Sequence, residues 1–377
     1  MKKTNAKRIF AIVLIDLLLF AVCLLSFAYL HHARRMLSDH GGDDVVVKRP
    51  LPSHSSGTDN NAAGNTFSSS DTDSEDSSDN SSVDTDSNSI GEIESGVTTA
   101  AEDDTNAAPH KFEAMFAHDG GEPEVTDTYY RSHDIYMTVT EVTEPISDYI
   151  ARYYIYDIYV RYTENLFTVA HKNNRYPFTE LIEEAGSPVA ALSGDFWREN
   201  ADIAVRNGVM LRQDLTTEND FCVMYLDGSI KIYAPSELPG FEITDDIYQI
   251  WNFGPSLLDE DGHAKTSFGA KNDIQNRNPR ASIGYYEPGH YCFIAVEGRR
   301  HITYGGERVY LGGMRFTDLS KLYESLGCVS AYNLDGGDSA FAYYNGEILR
   351  QDWSRAHEEG QSPRKIYDII CIGELEE

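Results

Sequence analysis

Residues 329–339 read Val-Ser-Ala-Tyr-Asn-Leu-Asp-Gly-Gly-Asp-Ser, and the rest of the fold is read outward from them. Val329 to Leu334 has the apolar, aromatic character of a buried strand, and it runs straight into Asp335 and two glycines. Gly336 and Gly337 allow positive φ and a close approach of backbone to a ligand. A tight turn would need only a solvated Asp. An Asn333–Asp335 pair at the mouth of an apolar strand, followed by Gly-Gly and Ser339, predicts a site instead, with Ser339 and backbone N–H groups able to receive an anion.

Upstream, apolar residues at 316, 319, 322, 323 and 326 have helical spacing, with Thr317 as the expected N-cap and Gly327 as the stop. Ala281–Tyr286 and Tyr291–Glu297 read as strands paired around Pro288-Gly289. Asn207-Gly208 and Asp227-Gly228 mark hairpins inside Ile203–Leu211 and Phe221–Tyr233. Residues 133–145 and 152–163 are β-branched and aromatic and predict two long strands. Phe178–Ala185 is a short helix closed by Gly186, and Val189–Leu192 a buried strand leading into Ser193-Gly194-Asp195-Phe196-Trp197. Downstream, Ala340–Tyr344, Glu347–Leu349 and Ile366–Ile372 complete the sheet. Many strands and few helices predict an α+β fold, a mixed β-sheet domain over residues 111–377.

The N-terminal third has a different character. Residues 1–8 form a basic tail, and Ile9 to Leu30 is an apolar run broken only by Asp16. At about 1.5 Å rise per residue such a run spans a hydrocarbon core, which predicts one transmembrane helix over 9–30. Four basic residues before it and two after it predict a cytoplasmic N-terminus and an extracytoplasmic folded domain, a single-pass cell-membrane protein. A cleaved signal peptide is the rival, but the run is long and Phe27-Ala28-Tyr29-Leu30 is a poor cleavage site. Residues 31–110 are expected to form a disordered acidic tether rich in Ser and Asp; residues 68–89 hold one valine and no aromatic side chain.

Charge and cysteine usage narrow the function classes. The formal net charge of -30 argues against bare nucleic acid as a partner. An anionic substrate would need a local basic patch or a metal ion. Cys222, Cys292, Cys328 and Cys371 make no CxxC pair, so they are either two disulfides in one of three pairings or four buried thiols. His263, His290, His301 and His357 have no metal-site spacing, and no P-loop, GxGxxG or GxSxG pattern occurs.

Three further polar clusters sit at strand ends: Ser193-Gly194-Asp195, Asn278-Pro279-Arg280 and Glu297-Gly298-Arg299. Carboxylates there can transfer protons or bind a metal. The arginines can hold a phosphoryl group.

Together these segments resemble the phosphodiester glycosidase family over roughly residues 150–375. That family spans the domain of N-acetylglucosamine-1-phosphodiester alpha-N-acetylglucosaminidase and bacterial exopolysaccharide and cell-envelope proteins. The resemblance rests on Ser193 to Trp197, Arg206-Asn207-Gly208, Gly254-Pro255-Ser256-Leu257 with Asp261-Gly262, Pro279 to Gly284, Val296 to Arg299 and Ala331 to Ser339, in family order. The departures are Ser193 for Asn, Ala281-Ser282 for Thr-Ala, Glu297 for Asp and Asp338 for the third Gly of the last motif.

The resemblance implies a hydrolase that cleaves the glycosidic bond of sugar-1-phosphodiesters in cell-envelope polysaccharide or teichoic-acid-like polymers. It implies Asp195, Asp335 and Glu297 as catalytic carboxylates, and Arg280, Arg299, Asn333, Gly336, Gly337 and Ser339 as the substrate- and phosphate-binding set. No cofactor is fixed by it, although a divalent cation, calcium or magnesium, is compatible with these carboxylates. The alternative is a non-catalytic glycan- or phosphate-binding module of the envelope. An enzyme predicts that Asp195, Arg280, Arg299 and Asp335 converge on one cleft.

Overall fold

The computed structural model describes residues 46–47, 110–118, 121–195, 202–213, 217–270, 272–351 and 364–375. In chain order the strands are β1 (Val46–Val47), β2 (Glu124–Val125), β3 (Tyr129–Arg131), β4 (Ile135–Ile146), β5 (Tyr149–Val160), β6 (Leu166–His171), β7 (Ala190–Ser193), β8 (Ile203–Arg206), β9 (Val209–Gln213) and β10 (Phe221–Tyr225). They continue with β11 (Ile230–Tyr233), β12 (Ile247–Trp251), β13 (Arg280–Glu287), β14 (His290–Val296), β15 (Arg300–Tyr304), β16 (Glu307–Leu311), β17 (Ser330–Asn333), β18 (Ala342–Tyr344), β19 (Glu347–Arg350) and β20 (Asp368–Ile372). The helices are α1 (Phe178–Glu184), α2 (Asn272–Gln275) and α3 (Phe316–Leu326).

The strands form a seven-stranded sheet, β17-β13-β14-β5-β4-β3-β2, a six-stranded sheet, β1-β6-β20-β7-β18-β19, a five-stranded sheet, β11-β10-β12-β8-β9, and the small hairpin β15-β16. This is the α+β, mixed β-sheet domain with few helices that the sequence predicts. The registered strand pairs are antiparallel, and two-residue turns close the β4-β5, β8-β9 and β13-β14 hairpins.

The seven-stranded sheet is covered on both faces, and the period-two alternation of its strands shows why. On β5, Tyr154, Tyr156 and Ile158 join the central core shared with the other two large sheets, while Ala151 and Tyr153 join the core under α3. On β14, Tyr291, Phe293 and Ala295 face the central core, and Cys292, Ile294 and Val296 face α3. Burial of each such large side chain contributes roughly 1.5–3 kcal/mol. The six-stranded sheet has the same design, with α1 packing Phe178, Leu181 and Ile182 on its outer face.

The long strands, the Asn207-Gly208 and Asp227-Gly228 hairpins, α1 and α3 lie where the sequence puts them, within two residues at most ends for the strands. The cap of α3 does not. Arg315, in extended conformation, is the N-cap, and Thr317 already lies inside the helix. Phe316 is fully buried and packs on Phe268 at 5.4 Å between ring centroids, which draws the helix start forward to Phe316 itself.

The membrane expectation needs correction. Among the described residues no helix is long and apolar enough to cross a membrane. The transmembrane helix, the membrane partner and the single-pass localisation expected from residues 9–30 therefore have no support in the structure, and that segment lies outside the described residues. The basic tail and nearly all of the expected tether 31–110 lie outside them as well. His110 and Val46–Val47 are the exceptions, and Val46–Val47 pairs antiparallel with the edge of β6, opposite His171 and Ala170.

Candidate active site

Four chain segments meet at one end of the sheets. The turn after β7 carries Ser193-Gly194-Asp195, Pro279 leads into β13, Glu297-Gly298-Arg299 follows β14, and β17 opens into Asn333–Ser339. The Asp335 N–H donates to the Gly194 carbonyl at 3.0 Å, and the Gly337 N–H donates to the Pro279 carbonyl at 2.9 Å. The Arg299 guanidinium donates to the Asp338 carboxylate and, at 3.4 Å, to Asn278 Oδ1.

The glycines are there because the segments touch. A Cβ on Gly336 would lie 2.7 Å from the Pro279 carbonyl oxygen, and one on Gly194 would lie 2.2 Å from the Asp368 carboxylate. Gly337 has φ +63, and its missing Cβ leaves room for the Arg299 guanidinium.

Asp195 is held rather than free. Its Oδ1 accepts from Arg206 Nη2 at 2.6 Å, and its Oδ2 accepts the Asn252 N–H at 2.7 Å. Arg206 also donates through Nε and Nη2 to Asp368 Oδ2, at 3.0 and 2.9 Å. All three side chains are buried. Burial opposes the charge on Arg206, but the two carboxylates outweigh it and push its pKa up. Burial pushes Asp368 up, Arg206 pulls it back, and Asp195 adds to the rise. Two carboxylates on one guanidinium make an ion triad with excess negative charge.

Asp335 differs. Burial raises its pKa to about 7, with Ser339, Arg364 and the Gly336 backbone pulling back and the Asp368 carboxylate adding to the rise. The residue as a whole is half-buried, but Oδ2 is sealed and makes no hydrogen bond. Ser339 pulls the Asp335 pKa down, and Ser339 Oγ and Asn333 Oδ1 are two further buried oxygens with no hydrogen-bond partner. Asn333 Nδ2 is committed to the Gly254 carbonyl at 2.9 Å, which ties this loop to the 254–257 segment. Buried, unpaired polar atoms are costly and concentrate at functional sites.

Two expected site residues are placed differently. Arg280 is buried, and its guanidinium donates to the carbonyls of Met314 at 3.1 Å and of Ile274 and Asn276 at 2.6 Å, over the Phe316 ring at 3.9 Å. Burial lowers its pKa to about 9. Its side chain lies on the α3 face of β13 and fastens the 274–276 loop. Glu297 is buried and accepts from Arg300 Nη2 at 2.5 Å and Nε at 2.6 Å, with Tyr154 nearby. Its backbone adjoins Arg299, but its carboxylate anchors the start of the β15-β16 hairpin. Phe196 and Trp197 lie outside the described residues.

The sequence reading missed Arg206, Asp368 and Arg364. A polar residue opening the apolar stretch Asp368–Ile372 was the available signal for Asp368; Arg206 stood in a segment already quoted for its Asn-Gly turn. Among the described residues no group of three or more His, Cys, Asp and Glu side chains could hold a metal ion, and we assign no cation to these carboxylates. A cavity of about 950 Å³ lined by Asp220, Lys231, Asp259, Lys265 and Ser330 opens at the other end of β17, away from Asp335.

A carboxyl with no hydrogen bond at Oδ2 thus lies beside an ion triad and two guanidiniums at converging strand ends of this α+β domain. Residues 186–373 match the phosphodiester glycosidase family, and the chain belongs to that family through them. A Bacillus subtilis (strain 168) relative, the SPbeta prophage-derived uncharacterized protein YomE, is 24% identical over 241 residues, covering 57% of this chain and 36% of that protein. The chain thus spans about a third of the length of that relative. The catalytic domain of zebrafish N-acetylglucosamine-1-phosphodiester alpha-N-acetylglucosaminidase, auto-inhibited by its pro-peptide, has a similar fold at TM-score 0.50 and 14% identity, covering 71% of this chain and 94% of that one. A hypothetical protein from Synechocystis aligns at TM-score 0.45 and 13% identity over 67% of this chain and 64% of its own. Family membership supports a hydrolytic capacity related to glycosidases.

Proposed function

We propose that this protein hydrolyses the glycosidic bond of sugar-1-phosphodiesters, releasing the sugar and leaving a phosphomonoester, with teichoic-acid-like and other envelope polysaccharides as the substrate class. The observation that carries this reading is the Asp335 carboxyl, buried, unpaired at Oδ2 and poised near neutrality. A group with a pKa near 7 is suited to accept a proton from water as it attacks the anomeric carbon. The leaving group is a phosphomonoester anion and needs little help from an acid. Its developing charge needs cations, and Arg299, with a part-exposed side chain beside Gly337, and Arg364, near Asp335, are the ones at hand. The triad Asp195–Arg206–Asp368 fixes the turn that bonds to the Asp335 N–H and keeps negative charge beside its carboxyl. Arg280 and Glu297 act in this reading as positioning residues for Pro279 and Arg299.

A second reading has a specific observation behind it. Asp338 stands where family members carry glycine, and its carboxylate pairs with Arg299. A guanidinium neutralised in this way suits a module that binds glycan without turning over a phosphodiester. The test is the release of phosphomonoester from a simple sugar-1-phosphodiester by the full chain, set against Asp335→Asn. Release by the wild type and a loss of 100-fold or more in the variant are expected. Binding of the phosphodiester with no release by the wild type would favour the module, and equal rates for both proteins would refute the role of Asp335.

A further inference from the structure

The four cysteines of the folded domain are buried thiols in the structure, but they are not equivalent. Cys222 belongs to the central core and Cys371 to the core under α1. Cys292 and Cys328 share the core under α3. Cys292 on β14 stands in register with Gly284 on β13. The position a Cβ would take on Gly284 is 2.9 Å from Cys328 Sγ. Facing residues on antiparallel strands have Cβ atoms about 4.5–5.5 Å apart, so Cys328 Sγ sits on the row that Cys292 occupies. Cys328 is among the groups that push the Cys292 thiol up, and both cysteines act on Tyr286. Gly284 makes room for this: a Cβ there would collide with the Tyr323 ring and with Cys328 Sγ.

We infer that Cys292 and Cys328 are a dithiol pair that closes into one intrachain disulfide on exchange with a small-molecule disulfide. Of the three pairings open to four cysteines, this proximity selects one link and leaves Cys222 and Cys371 as single thiols. Access comes through Cys328. It lies in the turn between α3 and β17, between Gly327 at φ +84 and Val329, which is 51% exposed. Opening that turn frees Cys328 without disturbing β14. The Cys328 thiolate attacks one sulfur of oxidised glutathione, whose S–S bond breaks and releases one glutathione thiolate. The Cys292 thiolate then attacks the Cys328 sulfur of the mixed disulfide, and the second glutathione leaves. The protein gives up two electrons and two protons, and glutathione disulfide takes both as two thiols. The closed link would join the turn feeding β17, and so the Asn333–Ser339 loop, to the centre of the seven-stranded sheet.

The test uses the reduced full-length protein, incubated with oxidised glutathione, denatured, alkylated with iodoacetamide and mapped without reduction. The expected result is a peptide containing Cys292 linked to one containing Cys328, with Cys23, Cys222 and Cys371 alkylated. Cys328→Ala should abolish the link and leave Cys292 alkylated. Alkylation of both Cys292 and Cys328 in the wild type, or linkage of either to another cysteine, overturns the inference.

Discussion

Replacing Asp335 by Asn should make the protein more stable at pH 8 and nearly inactive, because the carboxyl that the chemistry needs is one that folding disfavours. Its pKa is about 7 in the folded protein and about 3.9 in an unfolded chain. Between these values the folded state holds a proton that the unfolded state has lost. Stability contributed by this group is therefore greatest in acid and falls as pH rises from about 4 to about 7. At pH 8 the folded protein carries the buried charge, and about 1.36 kcal/mol per pKa unit makes the penalty about 4 kcal/mol as an upper bound. At pH 5 only about 1.5 kcal/mol of it is felt. Asparagine has the same shape and no charge, so its advantage over aspartate should shrink by roughly 2–3 kcal/mol between pH 8 and pH 5. In a domain of this size that is a difference of roughly 5–10 °C in melting temperature. Urea titrations of both proteins at the two pH values measure it directly. Relief of the charge pressure on Asp368 adds in the same direction. A stability difference that does not change between pH 5 and pH 8 would refute the claim that Asp335 is a strained, proton-holding carboxyl.

Other substitutions separate the remaining parts of the site. Arg206→Ala leaves Asp195 and Asp368 buried without their shared cation and should destabilise the fold by about 3–5 kcal/mol, read from the midpoint of chemical denaturation; a change under about 1 kcal/mol would mean that the triad is not structural. Arg280→Lys keeps a charge but not the fork that reaches the carbonyls of Met314, Ile274 and Asn276; it should lower the melting temperature and change KM for the phosphodiester little, whereas a large rise in KM at unchanged stability would return Arg280 to the phosphate site. Asp338→Gly releases Arg299 and should raise kcat/KM for an anionic substrate several-fold, and an unchanged value would show that the ion pair does not restrain Arg299. Gly284→Ala would set a methyl 2.5 Å from the Tyr323 ring and should cost about 1–3 kcal/mol in the same denaturation assay; a neutral result would mean that this packing yields.

Much of this architecture was legible because local chemistry and tertiary demand agree. Asn207-Gly208 and Asp227-Gly228 are turn residues between apolar runs, and they form turns. The Gly-Gly after Asp335 was read as room for a ligand, and at Gly336 it is the Pro279 backbone that comes close. The hairpin over 300–311 was not legible, because its residues alternate between half-exposed and exposed with little apolar periodicity. The triad was not legible either: Arg206 and Asp368 lie 162 residues apart, and nothing local to either names the other.

Arg280 and Asp335 have different fates in the fold. Both stand at strand ends in segments typical of the family, and composition gives them equal claim to the site. Register separates them. Ala281 faces the central core, so Arg280, one residue earlier, faces α3, where the carbonyls of Met314, Ile274 and Asn276 and the Phe316 ring receive it. Asp335 follows the last residue of its strand by two, where backbone bonds to Gly194 and Gly336-Gly337 turn its carboxyl inward beside Asp368. A one-residue shift of β13 would turn Arg280 to the opposite face and take it away from these carbonyls. The chemistry of this site therefore depends on the register of β13 against β14 and β17 as much as on the residues themselves.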